Sequence, residues 1–260
     1  MNGNEISCES EKTDVAQICR SYMEISHMEC FFTSLLEEFV SPAFLKEVRI
    51  KFHFEEEQTA EIRKVAREML PVLQKEAFWV RAAYTWKECP HLAENAETDV
   101  GATYEKVAMS LGNGVDLLQE SYSQAGLLLQ SYMVETLSGE LLMRGYDAYN
   151  RYIAAHTDRH VARYHFPGSG DSFPLEMLPE LLKDLTQKIT CNAAFCMLPK
   201  KSVVFVSELT QDETVHCQGI CAGCGNITCP NRVGENSLIR KRMTDMPLTY
   251  GYSRIFGLKA

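Results

Sequence analysis

The sequence predicts one α+β domain with an N-terminal helical extension. Three observations predict it. Runs rich in β-branched and aromatic residues (VRIKFHF, FWVRAAYTW, YEKVAMSLG, KKSVVFVSEL) are separated by longer segments with helical spacing. No Pro-, Gly- or Ser-rich stretch divides the chain into independent units. The 260 residues, 45% hydrophobic and 23% charged, suffice for a sizeable core. With helices between the strands, the sheet is expected to be mixed.

Residues 14–40 place apolar side chains at helical spacing, giving one or two helices behind an acidic leader. VRIKFHF, 48–54, alternates apolar and polar residues and reads as a strand. Thr59 is expected to cap a helix over TAEIRKVAREMLPVL, with Arg63 and Lys64 on its wet face. FWVRAAYTW, 78–86, is a second strand, so the chain opens with a β-α-β pattern. A loop, KECPHLAENAETDVGAT, leads to a strand at 104–112 that ends in the turn Gly112-Asn113-Gly114. From Val115 to Ala155 the pattern is helical, in two pieces broken near Gly126 or Gly139. Pro174 stands near the start of a further helix, PLEMLPELLKDLTQKI, and KKSVVFVSEL is a strand of the buried type. These elements divide into the extension 1–44, the α+β domain 45–232 and a basic, aromatic tail 233–260. The tail reads as solvated or as a binding arm.

Charge and composition narrow the function. A formal net charge of −9 argues against nucleic acid as a partner, since such binding neutralises phosphates with cations. The first residues, MNGNEISCESEKTD, lack the apolar stretch of a secretory signal. No apolar run reaches the roughly 18 residues of a membrane span, and AGLLLQSYMVETL is interrupted by Gln130, Ser131 and Glu135. Ten cysteines without a signal sequence point to a reducing, cytoplasmic compartment. Cys8, Cys19, Cys30, Cys89, Cys191 and Cys196 read as buried thiols.

RYHFPGSGDSFPLE, Arg163–Glu176, is the segment with the most chemistry. Gly168 and Gly170 allow positive φ and close backbone approach, and Pro167 stiffens the turn. Arg163 offers a fork of donors that suits a carboxylate. Asp171 can accept from an amine or hydroxyl, or cap the next turn. With Phe166 and Ser169 these residues form either a ligand-binding turn of exposed amides or a structural loop. The glycine spacing fits neither the dinucleotide fingerprint nor a phosphate P-loop.

Four more thiols, Cys217, Cys221, Cys224 and Cys229, fall within 13 residues, interleaved with Gly219, Gly223 and Gly225. Thiolates in a glycine-rich loop select zinc or an iron–sulfur cluster. Unligated thiols and redox-active disulfides are the alternatives, and the spacing matches neither the ferredoxin run nor the paired zinc ribbon.

Arg163, Pro167-Gly168, Gly170-Asp171, Pro174-Leu175-Glu176 and, after a helix, Met197-Leu198-Pro199-Lys200-Lys201-Ser202-Val203 resemble the reactivation domain of cobalamin-dependent methionine synthase. The similarity is to its short stand-alone homologues. It extends over roughly residues 45–232 and includes YEKVAMSLGNGVD and LLLQSYMVETLSGELL. It implies a single α+β domain with a bent, mainly antiparallel sheet flanked by helices and curved around the ligand. It implies S-adenosylmethionine as the ligand, with Arg163 on its carboxylate, the backbone of Phe166–Gly170 along its adenosyl and methionyl parts, and Asp171 alongside. The partner it implies is a corrinoid methyltransferase, such as a methionine synthase lacking its own domain, whose cob(II)alamin is reduced by a flavodoxin-like or ferredoxin-like donor and then methylated. An iron–sulfur centre on the cysteines would relay electrons there. The sequence departs from the family in three respects, one being that the acidic residue that meets the ligand's amine has no clear N-terminal match. Ser169 stands where the family has Tyr, and Cys191-Asn192-Ala193 stands where it has Thr-Glu-Ser. Glu135 and Glu140 are candidates for the acidic group that meets the ligand's amine. The alternative is a metal-stapled binding or redox protein that keeps the fold without methyl donation.

Overall fold

A computed structural model describes residues 34–84, 103–169, 173–183, 185–217 and 219–221. The elements are α1 (Pro42–Lys51), α2 (Thr59–Glu76), β1 (Phe78–Tyr84), β2 (Thr103–Ser110), α3 (Asn113–Gln124), α4 (Leu128–His156), β3 (His160–His165), α5 (Leu178–Lys183), β4 (Thr190–Cys191), β5 (Met197–Leu198) and β6 (Ser202–Thr210). Residues 34–39, ahead of α1, are also helical. The main sheet has four strands in the order β1-β2-β6-β3. Every neighbouring pair is antiparallel, so the mixed sheet expected from the alternation of strands and helices is not formed.

The segment 48–54 is helix and cap, not strand, and the opening pattern is helix-helix-strand. Its start explains why. Pro42 takes the first turn, and the Ser41 hydroxyl accepts the Phe44 N–H at 3.2 Å. Arg49 and Lys51 sit at the carbonyl end, where cations are favoured. The apparent alternation is incidental, for Phe44, Leu45 and Val48 are buried at helical spacing while Ile50 is 57% exposed. The helix stops at Phe52 and His53, the latter at φ 58°. Thr59 is the first residue of α2 rather than its cap. The reciprocal capping contacts are made one turn earlier, between Glu55 and Gln58.

Gly112 and Gly114 have one job between them. A Cβ at Gly112 would stand 2.4 Å from the Glu76 Cβ, and one at Gly114 2.5 Å from Val72. Only glycine lets the start of α3 approach α2 this closely. The Gly114 N–H then donates to Glu76 Oε2 at 2.7 Å, so a carboxylate from another helix satisfies the α3 N-terminus. The break between α3 and α4 falls at Gly126, φ 75°, and Gly139 lies inside α4.

The sheet divides the molecule into layers. On one face pack α1–α4, with Phe39, Phe44, Val65, Met69, Leu73, Met133, Leu137 and Tyr149 meeting Trp79, Val107, Met109 and Phe205 of the strands. A polar island lies within this layer. Arg81 is paired with Glu105 at 2.5 Å, and Tyr149 donates to Glu105 at 3.1 Å and lies 2.5 Å from the Ser207 hydroxyl. The other face carries a smaller cluster, in which Phe173, Leu178, Leu181, Leu182 and Ile189 cover Ala108, Val204 and Val206. The helix expected after Pro174 is short. A 3-10 turn at Leu175–Met177 leads into α5, after which the Leu185 and Thr186 amides bond back to Leu182 and the chain enters the β4–β5 hairpin. Among the described residues no helix is long and apolar enough to cross a membrane.

Candidate functional site

The Pro-Gly turn follows directly from the edge strand β3. The Ser169 amide donates to the Phe166 carbonyl at 3.0 Å, with Pro167 and Gly168 as the central pair and Gly168 at φ 81°. That is the residue pattern of a type II turn, which requires glycine at its third position. The Gly168 amide donates to the Phe173 carbonyl at 2.7 Å, and the Ser169 hydroxyl donates to Phe166 O at 2.7 Å. Of the amides expected to face a ligand, those of Gly168 and Ser169 are therefore spent inside the loop. Phe166 packs against the helical-side core, 6.3 Å from Tyr164 and 6.0 Å from Phe205 between ring centroids, and fixes the turn to the sheet. Gly170 and Asp171 lie outside the described residues.

Strand alternation assigns Arg163 to the opposite face. Tyr164 is in the helical-side core, so Arg163 and His165 project from the other side. A register shift between Val161 and Arg163 sets Arg163 opposite Glu208. Glu208 lies 3.1 Å from His165 Nε2, and the Tyr104 ring is 6.4 Å from that imidazole. With its facing carboxylate bonded to His165, Arg163 is exposed and makes no ion pair with a described residue.

The two acidic candidates on α4 are engaged elsewhere. Glu140 pairs with Lys51 at 2.5 Å and with Arg144 at 3.8 Å. Glu135 accepts from Lys201 and Gln119. Burial pushes the Glu135 carboxyl up, but those hydrogen bonds and the lysine charge outweigh it and hold it below the usual carboxylate range.

The cysteine segment borders a second feature, a cleft of about 400 Å³ on the helical side. Glu140, Arg144, Asp147 and Asn150 of α4 form one wall, and Cys217, Ile220 and Cys221 another. Tyr146 and Tyr164 line it as well. Tyr164 donates to Asn150 Oδ1 at 2.8 Å. Burial, then the nearby Cys217, push the Tyr164 phenol well above its ordinary value, so it stays a neutral donor. The Cys217 Sγ accepts the Gly219 N–H at 3.4 Å, with Gly219 at φ 74°. Cys224 and Cys229 lie outside the described residues, and among those described no three His, Cys, Asp or Glu side chains converge to hold a metal ion.

Of the six cysteines expected in the core, Cys191 is half-buried and Cys196 is exposed. The reason is local. Asn192 Oδ1 accepts the amides of Ala194 and Cys196 and shapes the hairpin loop, which leaves Cys196 at its rim. Cys8, Cys19, Cys30 and Cys89 lie outside the described residues.

The structure thus brings Arg163, Phe166, Pro167, Gly168 and Ser169 to one corner of the sheet, and Cys217 and Cys221 to a cleft on the other side. The sequence reading passed over Tyr104, His165, Glu208 and Lys106, which share Arg163's face. A signal was present in YEKVAMS, where Glu105, Val107 and Met109 face the helical layer and Tyr104, Lys106 and Ala108 face the other way. No family model matches this chain, and no curated protein matches it.

Proposed function

We propose that the chain is an S-adenosylmethionine-binding reactivation factor. It supports reductive methylation of cob(II)alamin on a corrinoid partner, a methionine synthase or related methyltransferase. The observation that carries this reading is Arg163. Its guanidinium is exposed and without a described ion-pair partner, three residues ahead of a closed Pro-Gly turn, on the sheet face that bears Tyr104, His165 and Glu208. An exposed guanidinium on a face that also bears a carboxylate suits a ligand with an amino-acid end. Arg163 takes the carboxylate, and the outer surface of Phe166–Gly170 borders the rest, with Asp171 alongside. The methyl group and the cobalt belong to the cofactors. The protein supplies binding and orientation. A flavodoxin-like or ferredoxin-like donor supplies the electron, in the cytoplasm.

Calorimetry on the full chain tests the reading. S-adenosylmethionine should bind, and Arg163→Ala should weaken it by about 1.5–3 kcal/mol, the scale of a hydrogen bond to a charged group. Unchanged affinity would remove Arg163 from the site. A methylcobalamin spectrum should then appear in an anaerobic mixture of cob(II)alamin-loaded partner, reductant and S-adenosylmethionine, and only when this chain is added.

A second reading has its own support, the Gly219 amide on the Cys217 sulfur. In it Cys217, Cys221, Cys224 and Cys229 bind zinc or an iron–sulfur cluster, and the fold serves as a metal-stapled binding or redox protein. Measuring iron, sulfide and zinc in anaerobically purified protein decides it, and absence of all three would sink it.

A further inference from the structure

The outer face of α4 carries more apolar surface than its own fold uses. Leu127, Leu128, Leu129 and Tyr132 are all exposed, Leu128 by 67% and Tyr132 by 49%. Leu127 has a local role. The Gly126 and Leu127 amides close α3 on the Ser123 and Tyr122 carbonyls, at 3.0 and 2.9 Å, and such a closure commonly carries an apolar residue there. No comparable role falls to Leu128 and Leu129. Single exposed leucines are ordinary, but a run of them beside an exposed aromatic ring marks a contact surface.

The face continues along the helix. The 3.6-residue period puts Leu128, Leu129, Tyr132, Gly139, Met143 and Asp147 on one side of α4. A Cβ at Gly139 would meet nothing within 4 Å, so nothing described in the fold requires glycine there. Glycine inside a helix costs stability, and here it keeps the middle of the face low. The far end runs into the cleft that Met143, Asp147, Ile220 and Cys221 line. The described residues end there, at Cys221.

The charges around this face are unbalanced. Lys51 and Arg144 are paired with Glu140, and Lys201 with Glu135. Asp147 on α4 and Glu120 on α3 are exposed and in no ion pair with a described residue. Glu61, Glu68 and Glu76 form the stripe of α2 that bonds α3 and α4, so Arg63 and Arg67 point away from it. Residues 233–260, outside the described residues, have the opposite character. They hold Arg240, Lys241, Arg242, Arg254 and Lys259 against Glu235 and Asp245, a net +3, so the rest of the chain carries −12 where the whole carries −9. Tyr250, Tyr252, Ile255 and Phe256 stand among these cations. Reach is sufficient. Asp147 and Leu129 are about 27 Å apart along the helix axis, and residues 222–232 span up to about 36 Å when extended.

We propose that residues 233–260 dock on the outer face of α4 of the same chain. Their apolar side chains cover Leu128, Leu129 and Tyr132, and their cations meet Glu120 and Asp147. The same face of a second copy fits less well, because it sets like charges against each other. This docking is independent of whether Arg163 binds S-adenosylmethionine.

Limited trypsin digestion of the full chain, read by mass spectrometry, tests it. Cleavage after Arg240, Lys241 and Arg242 reports the undocked fraction. Leu128→Ser combined with Leu129→Ser should speed those cuts by about tenfold or more, the scale of one buried leucine. Ile50→Ser removes a similarly exposed apolar residue from α1 and should leave the cuts unchanged. Circular dichroism of both variants should match the wild type, since all three positions are exposed. Zero-length carbodiimide coupling then locates the segment, in a mixture of isotope-labelled and unlabelled chains. Links from Lys241 or Lys259 to Glu120 or Asp147 within a single isotope are expected. Mixed-isotope links would give the face to a second copy and overturn the proposal. Equal cleavage rates in the wild type and the leucine variant, with no such link, would leave the face to a separate partner and overturn it as well.

Discussion

The two faces of the sheet are built to different ends. The helical face is filled by large side chains from α1–α4 and all four strands of the main sheet, and polar members at its centre are bonded to one another, as Arg81, Glu105, Tyr149 and Ser207 show. The other face holds a smaller apolar cluster, Tyr84 and Tyr104 included, under the Phe173–Ile189 cover, and also bears Lys106, Arg163, His165 and Glu208. The centre of the first face bonds its polar groups to one another, whereas the second carries the exposed Arg163. A buried apolar side chain on the first should therefore cost much stability when removed, and the buried cation on the second should cost little. Phe205→Ala, at a position with 0% exposure, should lose about 3–5 kcal/mol in urea denaturation. Lys106→Met should leave stability unchanged or raise it by about 1 kcal/mol, since it removes a charge from an apolar surround. A loss for Lys106→Met as large as that for Phe205→Ala would break the comparison and make both faces scaffold.

The contact between Gly112 and Glu76 sharpens the same contrast from the scaffold side. Gly112 has φ 86°, and an added Cβ would meet the Glu76 Cβ and backbone. Gly112→Ala must therefore shift the start of α3 or strain the turn, at about 1–3 kcal/mol. The effect should appear as a lower urea midpoint with S-adenosylmethionine affinity, corrected for the folded fraction, unaltered. A selective loss of affinity would tie the α2–α3 junction to the ligand face.

Much of this division was legible in the sequence, and the rest was not for identifiable reasons. β1, β2 and β6 stand where the aromatic and β-branched runs placed them, and Gly126 breaks the long helical region as expected. VRIKFHF misled because period-2 alternation over seven residues also satisfies a helix that buries Val48 and exposes Ile50. The deciding signal, Ser41-Pro42 as a helix start, lay six residues upstream. Within the candidate site, Arg163 and the Pro-Gly turn were visible as residue types. That the turn consumes its own amides was not, because the Phe173 carbonyl that receives the Gly168 N–H is a longer-range partner. Lys106 was invisible for a related reason. Its environment is made by Val206 and Tyr104 through cross-strand register, and a single sequence does not state register.

The smallest expected effect concerns the rim, where α4 meets the start of β6. Glu135 receives hydrogen bonds from Lys201 and Gln119, and these hold its carboxyl below its ordinary value against the opposing effect of burial. A carboxyl whose folded value lies below its unfolded one, about 4.3, stabilises the fold at neutral pH. That contribution is lost as pH falls through the lower, folded value. Glu135 is half-exposed, so solvent screens the pair, and the gain should be only about 0.2–1 kcal/mol. Glu135→Gln should be less stable than the wild type by this amount at pH 7, with the gap closing at acidic pH as the carboxyl takes up its proton. A gap that persists at low pH would mean that the side chain acts by packing, not charge. If Glu135→Gln also weakened S-adenosylmethionine, the acidic rim of α4 would join the ligand face, and the separation of the two faces would fail at that corner.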